Sequence, residues 1–173
     1  FLAHLANFDI MRGKNIRRDL EILIGCLEFD ADRRGRIISL KEFEQYAERN
    51  ISSYINISSA ILNVGGALKP GLISISRAGF IMDCLFDLRE DMALGYINIP
   101  AEEIEKYEID ISVLDSGEMQ TWMRDKMESL RGEIFDTSPF KKLSPLARII
   151  AATMAWRRRR KFKEIERNDY HVF

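Results

Sequence analysis

Apolar residues recur every three or four positions along most of this chain, the spacing that places them on one face of an α-helix. Ile16, Leu20, Leu23 and Leu27 form such a stripe and predict a buried helical face. Ser39 and Glu42 stand in S-x-x-E order, a capping box that opens a second helix through Phe43 and Tyr46. Gly65-Gly66 and Pro70 are expected to end it. A third helix is predicted from about Leu72 to Leu94, stopping at Gly95. Pro100 suits a first helical turn, with Glu102 and Glu103 behind it at the positive end of the dipole. Asp115 and Glu118 read as the cap of a helix carrying Met119, Met123, Met127 and Leu130. Ser144-Pro145 starts a last helix that carries Leu146, Ile149, Ile150 and Met154. Period-two alternation is nowhere sustained, and no repeat or low-complexity linker intervenes. The pattern predicts one all-α domain over residues 1–173.

Composition changes this picture little. The chain has 173 residues, 46% of them hydrophobic, enough for one domain with a core. A formal net charge of −1 gives no electrostatic reason to expect nucleic acid as a partner. Two cysteines, Cys26 and Cys84, are too few for a disulfide scaffold and are expected to pack as small apolar residues. A membrane span needs about 20 apolar residues, and the stretch from Leu146 to Trp156 already contains Arg148. Phe1 to Ile10 lacks a basic leader and a cleavage site, so no signal peptide is expected. These features suit a cytoplasmic location or one peripheral to a membrane.

Several motifs are weighed and set aside. Asp30-Ala31-Asp32-Arg33-Arg34-Gly35 begins like a calcium-binding loop, but Arg34 and Lys41 stand where the fifth and twelfth oxygen donors belong. A polar inter-helix loop explains it better. The basic run Arg157-Arg158-Arg159-Arg160-Lys161, with Lys163, could grip a diphosphate, an anionic lipid surface or RNA. Glu164, Glu166 and Asp169 follow at once, so a solvated helix end is the plainer reading. His4 and His171 join no recognisable motif. The four-residue repeat of Met119, Met123 and Met127 reads as core, although a hydrocarbon tunnel would also suit it.

The most informative segment is Asp83-Cys84-Leu85-Phe86-Asp87-Leu88-Arg89-Glu90-Asp91. Asp83, Asp87 and Asp91 are spaced i, i+4, i+8 and stack along one helical face, with Glu90 beside it. Like charges at this spacing destabilise a helix, and the flanking residues are apolar. Buried carboxylates need a cation or a raised pKa. Mg²⁺ bridged to phosphate oxygens supplies the former, whereas a solvated face with Arg89 pairing locally needs neither. Spacing alone leaves both open.

Context favours the first. Asp87-Leu88-Arg89-Glu90-Asp91, followed by Gly95-Tyr96-Ile97-Asn98-Ile99-Pro100, resembles the second aspartate-rich motif and following turn of squalene/phytoene synthases. Gly25 to Asp30, running on to Phe43-Glu44-Gln45-Tyr46, resembles the family's G-M-x-x-D segment and next helix. Ile165-Glu166-Arg167-Asn168-Asp169-Tyr170-His171-Val172-Phe173 resembles its I-E-x-x-G-Y-D-V-F close. The resemblance implies an isoprenoid-synthase-like helical bundle around a central cavity, incomplete at its N-terminus. It implies a Mg²⁺-dependent prenyltransferase that condenses two farnesyl- or geranylgeranyl-type diphosphates head-to-head and releases pyrophosphate. Asp87, Glu90 and Asp91 would be metal and diphosphate ligands, with Asp83 adding to them. The family's first aspartate-rich motif has no counterpart in this chain, and Phe80, Phe86, Tyr96, Asn98 and Arg158 depart from the family pattern. A catalytically degenerate member serving as a binding or assembly protein is therefore the alternative expectation.

Overall fold

The computed structural model describes residues 16–62, 64 and 69–171. The described residues form seven α-helices: α1 (Ile16–Asp32), α2 (Leu40–Ile61), α3 (Lys69–Phe86), α4 (Leu88–Ala93), α5 (Ala101–Tyr107), α6 (Gly117–Phe135) and α7 (Pro145–Arg167). A 3₁₀ turn at Ser138–Lys142 joins α6 to α7. The described residues contain no strand, and none of their helices is long and apolar enough to cross a membrane. His4, Gly65-Gly66 and Val172-Phe173 lie outside the described residues.

Helix α3 is the hub, packed against α2, α6 and α7. Its buried residues Ala78, Ile81, Met82 and Leu85 meet Met119, Trp122, Met123 and Met127 of α6, with Phe162 and Ile165 of α7 closing the core. The methionine repeat therefore belongs to the core. Trp122 is almost wholly buried, and its indole N–H donates to Glu103 Oε2 at 2.6 Å. Lys126 pairs with that same carboxylate, so α5 is fastened to α6 at a polar point within apolar surroundings.

Local signals placed most boundaries. The Ser39 hydroxyl accepts from Glu42 N, and Glu42 reaches back to Ser39 N, as the capping box predicts. Gly95 ends the third helical stretch with φ +90, in the left-handed region that glycine tolerates. Asp169 has φ 49 at the position that the resembled closing motif gives to glycine.

Four expectations need correction. Leu27 is 70% exposed and Cys26 is buried instead, because the α1 face packed on α2 runs one residue away from the apolar count. The α6 cap is Ser116, whose hydroxyl accepts from Met119 N; Asp115 instead pairs with Arg89 at 3.0 Å. Helix α2 stops at Ile61, and Pro70 sits inside the first turn of α3. In α7, Leu146 and Ile149 are exposed while Ala147 and Ala155 are buried. Close packing against neighbouring elements selects the small-residue face there.

Ser39→Ala should cost about 1 kcal/mol in chemical denaturation, through the lost helix cap. Glu42 is held down to about 2 by the Ser39 backbone N–H, with Arg36 and the Ser39 hydroxyl adding. Its contribution is present above the unfolded value of 4.5 and lost as pH falls towards 2. The acid limb of the stability profile should therefore flatten in Glu42→Gln.

Candidate functional site

The acidic segment keeps its face although the helix changes course within it. Asp87 stands between α3 and α4 with φ −92 and ψ 12. The i to i−4 bonding nevertheless continues, Asp87 N to Asp83 O at 2.9 Å and Asp91 N to Asp87 O at 2.8 Å. Asp83, Asp87 and Asp91 consequently line one cleft of about 480 Å³. Leu27, Asp30 and Ala31 of α1 and Tyr46 of α2 face them, and Tyr96 and Asn98 close one end. Glu90 lies off this face, exposed and outside the cleft lining. Arg89 is exposed and pairs with Asp115 at 3.0 Å.

The Asp91 end is built around Arg33, which sequence reasoning missed. Arg33 is 4% exposed, donates from Nε to Asp30 Oδ1 at 2.6 Å, and has Tyr46 and Tyr96 rings each 5.4 Å from its guanidinium carbon. Tyr46 OH donates to the other Asp30 oxygen at 2.6 Å. Both Asp30 oxygens are thus engaged within the protein rather than offered to a cation. Arg33 Nη1 and Asn98 Oδ1 are buried without a hydrogen-bond partner among the described residues. No motif marks Arg33; only the fold brings its guanidinium between two rings from distant segments.

Asp91 accepts from Asn98 Nδ2 at 2.7 Å. Burial raises its pKa and the neighbouring Asp87 carboxylate adds to the rise, with Arg33 and Asn98 opposing. Burial likewise pushes the Cys84 thiol up, which favours its neutral form over the thiolate.

The Asp83 end meets the basic run. Lys161 Nζ lies 2.9 Å from Asp83 Oδ1, 4.0 Å from Asp87 Oδ1 and 4.5 Å from the centre of the Phe86 ring. The run is not a uniformly solvated helix end. Arg159 donates to the Ile134 and Phe135 carbonyls at the C-terminus of α6, where unpaired carbonyls call for donors. Arg158 is drawn inward to the Ile75 carbonyl at 3.3 Å, and burial lowers its pKa. Gly79 leaves room for it: a Cβ there would lie 2.1 Å from Arg158 Nε. Arg158 and Met154 also border a small apolar cavity of about 100 Å³ lined by Leu72, Ile75 and Phe140 among others.

Do these residues suit a Mg²⁺ ion? Among the described residues no group of three or more carboxylate, thiol or imidazole side chains is gathered as a ready metal cage. Asp83 is occupied by Lys161 and Glu90 points elsewhere. Asp87 and Asp91 are adjacent along the helix, and their mutual repulsion contributes to the raised Asp91 pKa. Two such carboxylates fit Mg²⁺ when a phosphate ligand completes the shell, which is how this ion is commonly held.

No protein-family model matches the chain, and neither does any curated protein sequence. Among solved structures, squalene synthase HpnC from Alicyclobacillus acidocaldarius superposes with a TM-score of 0.80 at 12% identity. The match covers 90% of this chain and 61% of that one, so the chain spans about three fifths of the synthase. The all-α fold is that of squalene synthase, in agreement with the sequence resemblance.

Two outcomes test this geometry. Because the folded pKa of Asp91 lies above the unfolded 3.8, its contribution to stability is present below that value and lost as pH rises through the folded one. Asp91→Asn should therefore raise Tm at pH 7 and converge on wild type near pH 3. Gly79→Ala should destabilise the native chain by displacing Arg158, yet stabilise an Arg158→Ala background by up to about 1 kcal/mol through helix propensity. Denaturation of the four proteins reads that change of sign.

Proposed function

We propose that this chain binds a prenyl diphosphate in the cleft beside α3 and serves a Mg²⁺-dependent head-to-head prenyltransferase of the squalene/phytoene synthase type. The observation that carries the reading is the alignment of Asp83, Asp87 and Asp91 on one cleft wall, with Arg157, Arg158 and Lys161 of α7 around its Asp83 end. A volume of about 480 Å³ falls within the range of ligand pockets, whereas the apolar cavity of about 100 Å³ falls below it. The volumes favour the cleft for the ligand, with the cavity at most an extension for the end of a hydrocarbon chain.

In this reading Asp87 and Asp91 hold Mg²⁺, which when bound supplies positive charge for the departing diphosphate. Arg157 and Lys161 orient the phosphate oxygens by charge-assisted hydrogen bonds. Leu27 and Phe80 give the cleft an apolar wall against which a hydrocarbon chain can lie. Asp83 holds the Lys161 ammonium in position.

The alternative, a binding or assembly protein without turnover, is favoured by one feature. Arg158 lines both the apolar cavity and the pocket that α7 shares with Asp83 and Asp87, at a position where the resembled family has tyrosine. A hydrocarbon tail entering the cavity from that pocket would meet its guanidinium.

Calorimetry with Mg²⁺ and a non-ionisable farnesyl thiodiphosphate tests the shared site. Each should strengthen the other's binding by roughly 5- to 150-fold, as linkage requires. Asp87→Ala and Asp91→Ala should each abolish most of that coupling. Equal Mg²⁺ affinity with and without the diphosphate would remove the basis for the reading. Coupled binding with no pyrophosphate released from farnesyl or geranylgeranyl diphosphate would select the non-catalytic alternative.

A further inference from the structure

We propose that Lys161 and Arg157 form a diphosphate subsite that works without metal, on the α7 side of the cleft. The inference deepens the reading above and rests on it for the class of ligand. Arg157, Arg158 and Lys161 line a pocket of about 360 Å³ with Asp83 and Asp87, large enough for a diphosphate head. Three cations against two carboxylates leave this pocket with excess positive charge.

The donors are not used up. A lysine ammonium carries three N–H donors. One meets Asp83 at 2.9 Å, while Asp87 at 4.0 Å is beyond hydrogen-bond distance. The Phe86 ring at 4.5 Å steadies the ammonium without taking a donor. Arg157 lies one helical turn before Lys161 and makes no hydrogen bond or ion pair among the described residues. Two like charges at i, i+4 weaken a helix rather than support it. The Lys161–Asp83 pair is also a poor stabilising device, since its side chains are 34% and 49% exposed. A bound polyanion accounts for both cations. Arg158 stays with the Ile75 carbonyl and adds only its field.

The ammonium is thus a tethered cation on the part of the stripe that Mg²⁺ would not use. Mg²⁺ at Asp87 and Asp91 and the cations on α7 would grip different oxygens of one diphosphate.

Binding of inorganic pyrophosphate, orthophosphate and farnesyl thiodiphosphate, each in EDTA and in Mg²⁺, tests this on the whole chain. In EDTA the wild type should bind pyrophosphate and the thiodiphosphate, and orthophosphate at least tenfold more weakly, because it carries less charge and fewer acceptor oxygens for the two cations. Lys161→Met should weaken diphosphate binding in EDTA by roughly tenfold or more, as loss of a charge-assisted hydrogen bond does. Arg157→Met should act in the same direction, and Lys161→Arg should retain most of the affinity. Asp87→Asn with Asp91→Asn removes two negative charges beside the polyanion, so EDTA affinity should rise while the Mg²⁺ increment is lost. Melting curves confirm that each variant is folded. Binding in Mg²⁺ but not in EDTA, or unchanged EDTA affinity in Lys161→Met, would overturn the subsite and leave the metal reading standing. No binding in either medium would overturn both.

Discussion

Helix α3 has to bury one face completely, and that requirement organises the rest. Ala78, Ile81, Met82 and Leu85 recur at helical spacing and are all taken into the core between α6 and α7. With that face fixed, Asp83 and Asp87 can only emerge on the other side. Removing this apolar face from water is the dominant gain here, worth roughly 25 cal/mol per Å². The repulsion between neighbouring carboxylates amounts to a few tenths of a kcal/mol for a pair at i, i+4. The acidic row can therefore be maintained by packing behind it, without stabilising interactions of its own.

What surrounds the row divides it into two chemically different ends. At Asp91, desolvation and the Asp87 carboxylate act together, and Arg33 offsets them from between two tyrosine rings. At Asp83, an ammonium from α7 sits directly on the carboxylate. The cleft is thus a gradient from an under-neutralised acidic pair to a cationic rim. The described residues offer a bare divalent ion no preformed cage.

The close approach of α7 to α3 is what makes the cationic rim possible. Gly79 lets the Arg158 side chain lie across α3, and the alanine face of α7 brings the helix near enough for Lys161 to reach Asp83. The same approach leaves Leu146, Ile149 and Trp156 on the outer side of α7. Apolar periodicity in α7 was thus a guide to the presence of a helix but not to its buried side.

The sequence by itself determined the helical class, the capping of α2 and α7 by Ser39 and Ser144, and the shared face of Asp83, Asp87 and Asp91. These depend on hydrogen bonds and spacings within a few residues, which are local and readable. Glu90 neighbours that face in sequence, yet one step around the helix carries it to the exposed side. Only tertiary structure decided what each carboxylate meets. Lys161 lies 78 residues from Asp83 and Tyr96 lies 63 residues beyond Arg33, so no local spacing foretells either contact. Their pairing follows from how the helices pack around α3, and with it the division of one acidic row into a partly buried, under-neutralised end and an end already holding a cation.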